Sequence, residues 1–289
     1  LGPNGAGKTT TLRILITVLP PTSGQATVLG YDVVRDAERV RQSIGYVPQE
    51  RAVDRFLTGR EHLLLLGALY HLSKEELRRR ITEVLQLVDL EHKADQPVRT
   101  YSGGMKRKLD IACGLLPNPQ VLFLDEPTLG LDVKSRLRIW DYIRQLKQRG
   151  ITVVMTTNYL DEADQLCDRV AIIDGGQIRA LGSPAQLKVG LGGDIVAVTV
   201  EAPAVNRIEA LAAAVSALPA IRSVTPKPNG LDIRVDSPEK ALPSVLEAAN
   251  RLGCRLEFIE YHRPGLEDVF VAYTGHAIRE EFPEAEEES

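Results

Sequence analysis

Gly2-Pro3-Asn4-Gly5-Ala6-Gly7-Lys8-Thr9 stands one residue into the chain, and its reading decides the fold. The spacing is G-x-x-x-x-G-K-[ST], that of a phosphate loop joining a strand to a helix. Its glycines let successive backbone N–H groups turn toward phosphate oxygens. Lys8 reaches the terminal phosphates as a compact cation, and the Thr9 hydroxyl suits Mg²⁺. Thr10 follows in the first turn of a helix whose positive end faces the anion. Leu12, Leu15, Ile16 and Leu19 fall at i, i+3, i+4 and i+7, and Pro20-Pro21 predicts where that helix stops. Taken alone, the stretch also reads as a glycine-rich turn.

Outward from the loop, residues 1 to about 190 alternate β-branched runs with helical patterns, the signature of an α/β domain. Strands are expected at 25–29, 44–47, 121–124, 151–156 and 170–173. Between about 58 and 118 there is no strand pattern, and helices are expected at 59–72, 74–88 and 104–115. A helical subdomain therefore interrupts the core. At Leu191-Gly192-Gly193 the pattern changes. A strand at 195–201, a helix at 205–218, a hairpin-like pair at 221–226 and 231–235, a helix at 239–252 and a strand at 255–261 follow. That βαββαβ order predicts a small ferredoxin-like α+β domain over 195–275, closed by a short helix at 266–273.

The length of 289 residues suggests about two domains, and 44% apolar with 26% charged content is globular composition. Wholly disordered, collagenous and disulfide-scaffold proteins are excluded. The longest apolar run, 63–70, falls well short of the roughly 18 residues of a membrane span, and no signal-peptide pattern occurs. Cys113, Cys167 and Cys254 are dispersed, which argues against a disulfide framework or a zinc site and fits a reducing cytosol. The net charge of −4 conceals six glutamates within 280–289; the preceding residues sum to +2. Residues 276–289 are expected as an acidic disordered tail. The remainder carries no basic stripe, so no nucleic-acid partner is expected.

Two further stretches carry chemistry. Val121-Leu122-Phe123-Leu124-Asp125-Glu126 is an apolar run tipped by two carboxylates, which a parallel strand would deliver into the crevice where open α/β sheets bind ligands. Asp125 suits Mg²⁺, and Glu126 suits orienting and deprotonating an attacking water. A strand meeting a solvated turn is the plainer reading. Tyr101-Ser102-Gly103-Gly104-Met105 opens an amphipathic helix, a second anion-binding terminus that one nucleotide would not need in the same subunit. Alone, Ser-Gly-Gly is an ordinary helix cap.

Together these motifs resemble the nucleotide-binding subunit of an ATP-binding-cassette (ABC) transporter. Such proteins carry, in order, a Walker A loop, a Q-loop, a signature, a Walker B strand, a D-loop and an H-loop. Here Gly2–Thr9, Gln49, Tyr101–Met105, Val121–Glu126, Leu129–Asp132 and Thr156–Tyr159 occupy those places over residues 1 to about 185. The resemblance implies a P-loop NTPase (RecA-like) α/β core over 1–190, with ATP and Mg²⁺ as cofactors. Gly2, Pro3, Asn4, Gly5, Ala6, Gly7, Lys8, Thr9 and Thr10 would bind ATP, and Thr9, Gln49 and Asp125 the metal. Glu126, Gln49 and Asn158 would be catalytic. Ser102, Gly103, Gly104 and Asp132 would act across a head-to-tail dimer that sandwiches two ATP molecules. Met105 and Tyr101 replace signature residues, with little loss expected. Asn158 replaces the family's switch histidine; its amide can also donate a hydrogen bond, from a shorter and never-charged side chain.

Tyr101 to Leu109, Asp54 to Arg60 and Leu266-Glu267-Asp268-Val269-Phe270 extend the resemblance to the ATPase subunits of daunorubicin-resistance-type exporters. It implies a separate type-2 ABC membrane permease as partner, a homodimer or paired ABC subunit, efflux of drugs or other hydrophobic compounds, and a place on the cytoplasmic face of the cell membrane. Leu63, Leu64, Leu66 and Leu69 are candidate apolar anchors for the permease. The C-terminal domain would stabilise the dimer, bind a regulator or cap the ATPase core. The alternatives are a non-transport soluble ABC ATPase and a degenerate subunit with weak hydrolysis. Only one phosphate loop occurs, and Lys8 and Ser102 lie 94 positions apart, which favours a transporter cassette. The strand expected before the phosphate loop has no residues beyond Leu1, so the sequence is read as a fragment lacking its first strands, expected to fold marginally and bind ATP poorly.

Overall fold

In a computed structural model, the described residues are 1–50, 53–201, 205–219 and 221–278; most of the acidic stretch 276–289 lies outside them. The chain divides into two compact units, Leu1–Cys167 with Ile172–Ile178, and Asp168–Ala171 with Arg179–Ile278.

The first unit runs α1 (Lys8–Leu15), β1 (Thr27–Val28), β2 (Tyr31–Asp32), α2 (Ala37–Ser43), β3 (Ile44–Val47), α3 (Gly59–Leu69), α4 (Lys74–Leu87), α5 (Gly103–Leu115), β4 (Val121–Asp125), α6 (Val133–Gln148), β5 (Thr152–Thr156) and α7 (Leu160–Leu166). β3, β4 and β5 form a parallel sheet in that order, and every residue of the central β4 is buried. Alternate residues of β4 serve opposite faces, as period-2 geometry requires. Val121 and Phe123 pack with Leu12, Ile16, Val40 and Ile44, while Leu122 and Leu124 join the larger core of α3 to α6 around Leu63, Ile81, Leu85, Leu109, Leu115 and Trp140. Polar residues start the helices. Thr58 forms a capping box with Glu61, and Ser73, Ser102 and Asp132 each accept a bond from the backbone N–H three residues on.

β6 (Val170–Asp174) and β7 (Gln177–Gly182) pair as a separate two-stranded sheet, followed by α8 (Pro184–Leu191), β8 (Asp194–Val200), α9 (Val205–Ser216), β9 (Ile221–Lys227), β10 (Gly230–Val235), α10 (Pro238–Arg251), β11 (Leu256–His262) and α11 (Leu266–Thr274). The antiparallel sheet order β11-β8-β10-β9 gives the ferredoxin-like arrangement that the βαββαβ pattern predicts. Val196, Val198, Leu231 and Ile233 line one face and pack on Leu211 and Val215 of α9 and Val245 and Ala249 of α10. Because α8 packs against α11, this unit reaches back before Leu191-Gly192-Gly193.

Three expectations change. α1 ends at Leu15, a turn before Pro20: the run Ile16-Thr17-Val18 is β-branched, Thr17 turns to φ 67°, and Leu19 is exposed. The strand at 25–29 contracts to Thr27–Val28. Leu63 is wholly buried in the core, so it is no anchor for a partner; Leu64, Leu65 and Leu69 are exposed on the same helix.

Candidate nucleotide-binding site

Three parallel strands of similar length end at one edge of the sheet, and that edge assembles the site. Gln49 lies two residues past β3, Glu126 one residue past β4, and Asn158 two residues past β5. α1 approaches the same edge with its N-terminus. Gly5 and Gly7 have φ of 77° and 98°, the left-handed region that glycine tolerates, and no side chain caps α1. Its first backbone N–H groups are thus left to an anion. Gly2 has a different reason to be glycine: a Cβ there would lie 2.2 Å from the Ile173 carbonyl oxygen.

Lys8 folds back beneath the loop. Its Nζ donates to the carbonyls of Gly2 at 2.7 Å and Pro3 at 3.1 Å and meets Glu126 Oε1 at 3.1 Å, with both charged side chains almost fully buried. Gln49 Nε2 donates to Glu126 Oε2 at 3.3 Å. Thr9 Oγ1 donates to Asp125 Oδ1 at 3.2 Å, and the Thr156 hydroxyl reaches the same oxygen. Glu126 takes φ 45°, unusual for a side chain with a Cβ, and its N–H is held by Thr156 O at 3.2 Å and Oγ1 at 3.1 Å. Asn158 is buried, and its Oδ1 has no hydrogen-bond partner. An amide O and N exchange places by a half-turn, so this unpaired end can equally present N–H donors.

These features fit a nucleoside triphosphate and its cation: an uncapped helix end, a buried lysine, a buried amide with one unpaired end, and a hydroxyl beside one carboxylate. Magnesium bound with substrate phosphates needs only one or two protein oxygens of this kind. Lys8, Thr9, Gln49, Asp125 and Glu126 come together, with Asn158 beside them through the Thr156-Thr157 turn. Asn4 and Thr10 lie exposed on the same loop and helix.

The second group is held apart from the first. Ser102 Oγ accepts from Met105 N–H at 3.3 Å, Asp132 Oδ1 accepts from Ser135 N–H at 2.9 Å, and Ser135 Oγ donates to Asp132 Oδ2 at 2.7 Å. Those bonds hold the Asp132 carboxyl below its usual range. Gly104 abuts this pair, since a Cβ there would lie 2.8 Å from Ser135 Oγ. Among the described residues, no hydrogen bond or ion pair links Ser102, Gly103, Gly104 or Asp132 to the cluster around Lys8 and Glu126.

Arg107, Lys108, Asp110 and Glu162 are buried charged side chains that the sequence did not mark, and two of them bear on the site. Arg107, 4% exposed, donates to four main-chain carbonyls around Glu126 and Gln49. In the run Lys106-Arg107-Lys108 it looks solvated; the signal is its place on the 107–111–115 stripe, whose other members are Ile111 and Leu115. Glu162 is wholly buried, its Oε1 accepting from Thr128 Oγ1 at 2.8 Å and Trp140 Nε1 at 3.0 Å. Burial pushes its carboxyl up, against hydrogen bonds from Thr157, Thr128 and Trp140.

A phosphate loop facing an acid-tipped parallel strand defines a P-loop nucleoside triphosphatase. The ABC transporter family matches residues 1–129, and the family "ATP-binding protein DrrA1-3-like, C-terminal domain" matches 182–274. The chain is 44% identical to the daunorubicin resistance ATP-binding protein DrrA3 of Streptomyces coeruleorubidus, over 95% of this chain and 86% of that protein. It is 38% identical to the linearmycin resistance ATP-binding protein LnrL of Bacillus subtilis, over 97% and 90%. A dimeric ATP-binding cassette solved in a post-hydrolysis state with ADP and Pi is 30% identical, covering 63% of this chain and 82% of its own, with a TM-score of 0.55. The chain belongs to the ATP-binding proteins of ABC transporters, of the daunorubicin-resistance type, and it binds and hydrolyses ATP.

Proposed function

We propose that this protein is the ATPase subunit of an exporter that works as a head-to-tail dimer and drives a separate, type-2 membrane permease. The carrying observation is the division of its phosphate-directed residues into two groups that share no hydrogen bond among the described residues. Lys8, Thr9, Gln49, Asp125, Glu126 and Asn158 serve one nucleotide; Ser102, Gly103 and Gly104 serve the nucleotide of a second copy, with Asp132 at the interface. Thr9, Asp125 and Gln49 hold Mg²⁺, which supplies charge neutralisation at the phosphates. Lys8 binds the terminal phosphates, Gln49 and Glu126 orient the water, and Glu126 accepts its proton. Asn158 donates to the terminal phosphate.

Support for the exporter reading comes from relatives named as ATP-binding proteins of daunorubicin and linearmycin resistance. Among the described residues no helix is long and apolar enough to cross a membrane. Exposed Leu64, Leu65 and Leu69 of α3 support docking on the permease's cytoplasmic face, with this subunit at the inner side of the membrane.

Mixing two dead variants tests the dimer. Lys8→Ala removes one half-site and Ser102→Arg the other; a mixed dimer rebuilds one of two composite sites. Random pairing then restores about a quarter of wild-type ATPase, given two-fold symmetry. No restoration on mixing would refute the shared site. ATP-dependent uptake into inverted vesicles carrying the co-expressed permease tests the transport role, and its absence would refute that part alone.

A further inference from the structure

Arg107 lies five residues past Ser102, on the helix that opens with the Ser-Gly-Gly motif, yet its guanidinium sits under the carboxylate cluster. Nε donates to Pro127 O at 2.8 Å, Nη1 to Pro48 O at 2.7 Å, and Nη2 to Asp125 O at 3.0 Å and Glu126 O at 3.3 Å. Asp110, one turn further along α5, offers counter-charge at 3.9 Å from Nη1. Three consecutive carbonyls, from Asp125 to Pro127, thus point at one planar cation. A fourth comes from the residue before Gln49.

This matters because of where Glu126 stands. Its φ of 45° is costly for a residue with a Cβ, and such a conformation persists only when its surroundings impose it. Thr156 holds the N–H side of Glu126. Arg107 holds the carbonyl side and both flanking carbonyls, so the turn is clamped from two directions. The same guanidinium ties that turn to the end of β3, which sets the spacing between Gln49 Nε2 and Glu126 Oε2.

We propose that Arg107 is a positioning residue for ATP hydrolysis: its fork fixes the backbone turn that aims Glu126, registers that turn against Gln49, and makes the helix behind Ser102 part of the same frame. One consequence is that a nucleotide seated on Ser102 of a subunit acts, through α5, on the hydrolytic turn of that same subunit, which serves the other nucleotide. The inference rests on the reading of Glu126 as the base. A lysine offers a point charge that can reach some of the four carbonyls but cannot match their planar arrangement.

The test compares Arg107→Lys and Arg107→Gln with matched changes at Arg80, a partly buried arginine that caps the far end of the same helix through Leu115 O at 2.6 Å and Leu116 O at 3.2 Å. Turnover, ATP affinity and thermal unfolding are measured on the full chain. The Arg107 variants are expected to lose about tenfold or more in kcat, as misaimed catalytic groups do, with ATP affinity within about threefold of wild type. The loss should be larger for Gln than for Lys. The Arg80 variants should unfold earlier yet keep wild-type kcat per folded molecule. Four outcomes would overturn the proposal: wild-type kcat in either Arg107 variant, kcat and affinity falling together, an equal kcat loss at Arg80, or failure of both Arg107 variants to fold beside folded Arg80 variants. If Glu126→Gln leaves turnover intact, the base assignment fails instead.

Discussion

Glu126→Gln tests the electrostatics of the site most directly. Lys8 Nζ and Glu126 Oε1 are 3.1 Å apart and nearly excluded from water. Two unit charges at that distance attract by about 5 kcal/mol at an effective dielectric near 20. When the terminal phosphates of ATP take Lys8, that pairing is weakened, and the carboxylate then faces phosphate charge of its own sign. Glutamine keeps the shape and the acceptor oxygen and removes the charge. Lys8 retains its bonds to Gly2 O and Pro3 O in either form, so most of the gross attraction cancels between free and bound states. A net gain of about 1.4 kcal/mol remains as the expectation, a tenfold lower Kd for ATP. Turnover should fall by about 10²- to 10⁴-fold, the usual worth of a general base. Titration calorimetry with Mg-ATP reads the first quantity, and steady-state phosphate release reads the second. Unchanged or weaker ATP binding would refute the competition between Glu126 and phosphate for Lys8.

Two further outcomes are expected. Gly2→Ala should lower stability by about 1–3 kcal/mol, the cost of overpacking, because the added methyl meets the Ile173 carbonyl; thermal unfolding no lower than wild type would remove the packing reason for this glycine. Glu162→Gln should flatten the dependence of stability on pH. Burial raises the Glu162 carboxyl above 4.5, so its contribution is fully present below about pH 4.5 and is lost as pH rises through the folded-state value. The variant should therefore gain on wild type as pH climbs from about 4.5 and then hold a constant lead. Urea unfolding at several pH values reads the difference, and one that never changes with pH would show that Glu162 does not titrate differently on folding.

What the sequence made legible follows the strength of each local signal. The phosphate loop, β4 and the βαββαβ unit stand out because glycine spacing, an unbroken apolar run and alternating periods each leave few readings. β2 and β7 went unread for opposite reasons. Tyr31–Asp32 is too short for any period, and Gln177–Gly182 mixes Gln, Arg and Gly with its apolar residues and is largely exposed. The end of α1 was misplaced because the apolar spacing continued to Leu19 while β-branched residues had already broken the helix. Gln49, Asp125 and Glu126 were legible as motif residues; Arg107 and Glu162 were not. Their burial depends on which face of a helix meets the core, and a basic run or an acidic first turn conceals that face.

Asn158 bears on how far a site can depart from its family pattern. β5 is bonded to β4 through Thr156 opposite Asp125, Glu126 N–H closes onto Thr156, and Gly2 N–H donates to Thr157 O at 3.3 Å. Thr157 Oγ1 in turn accepts from Tyr159 N–H at 2.9 Å, which fixes the turn beyond. The main chain at 158 is therefore held by its neighbours, whatever side chain it carries. A histidine or an asparagine is delivered to the same place, and the exchange alters the reach, charge and pH response of one donor without moving it. In the proposed role, an uncharged donor at that position would make the step insensitive to protonation near neutral pH, where an imidazole would titrate. If Asn158 donates to the terminal phosphate as proposed, the departure from the family motif would tune that contact and leave the frame built from β4 and β5 in place.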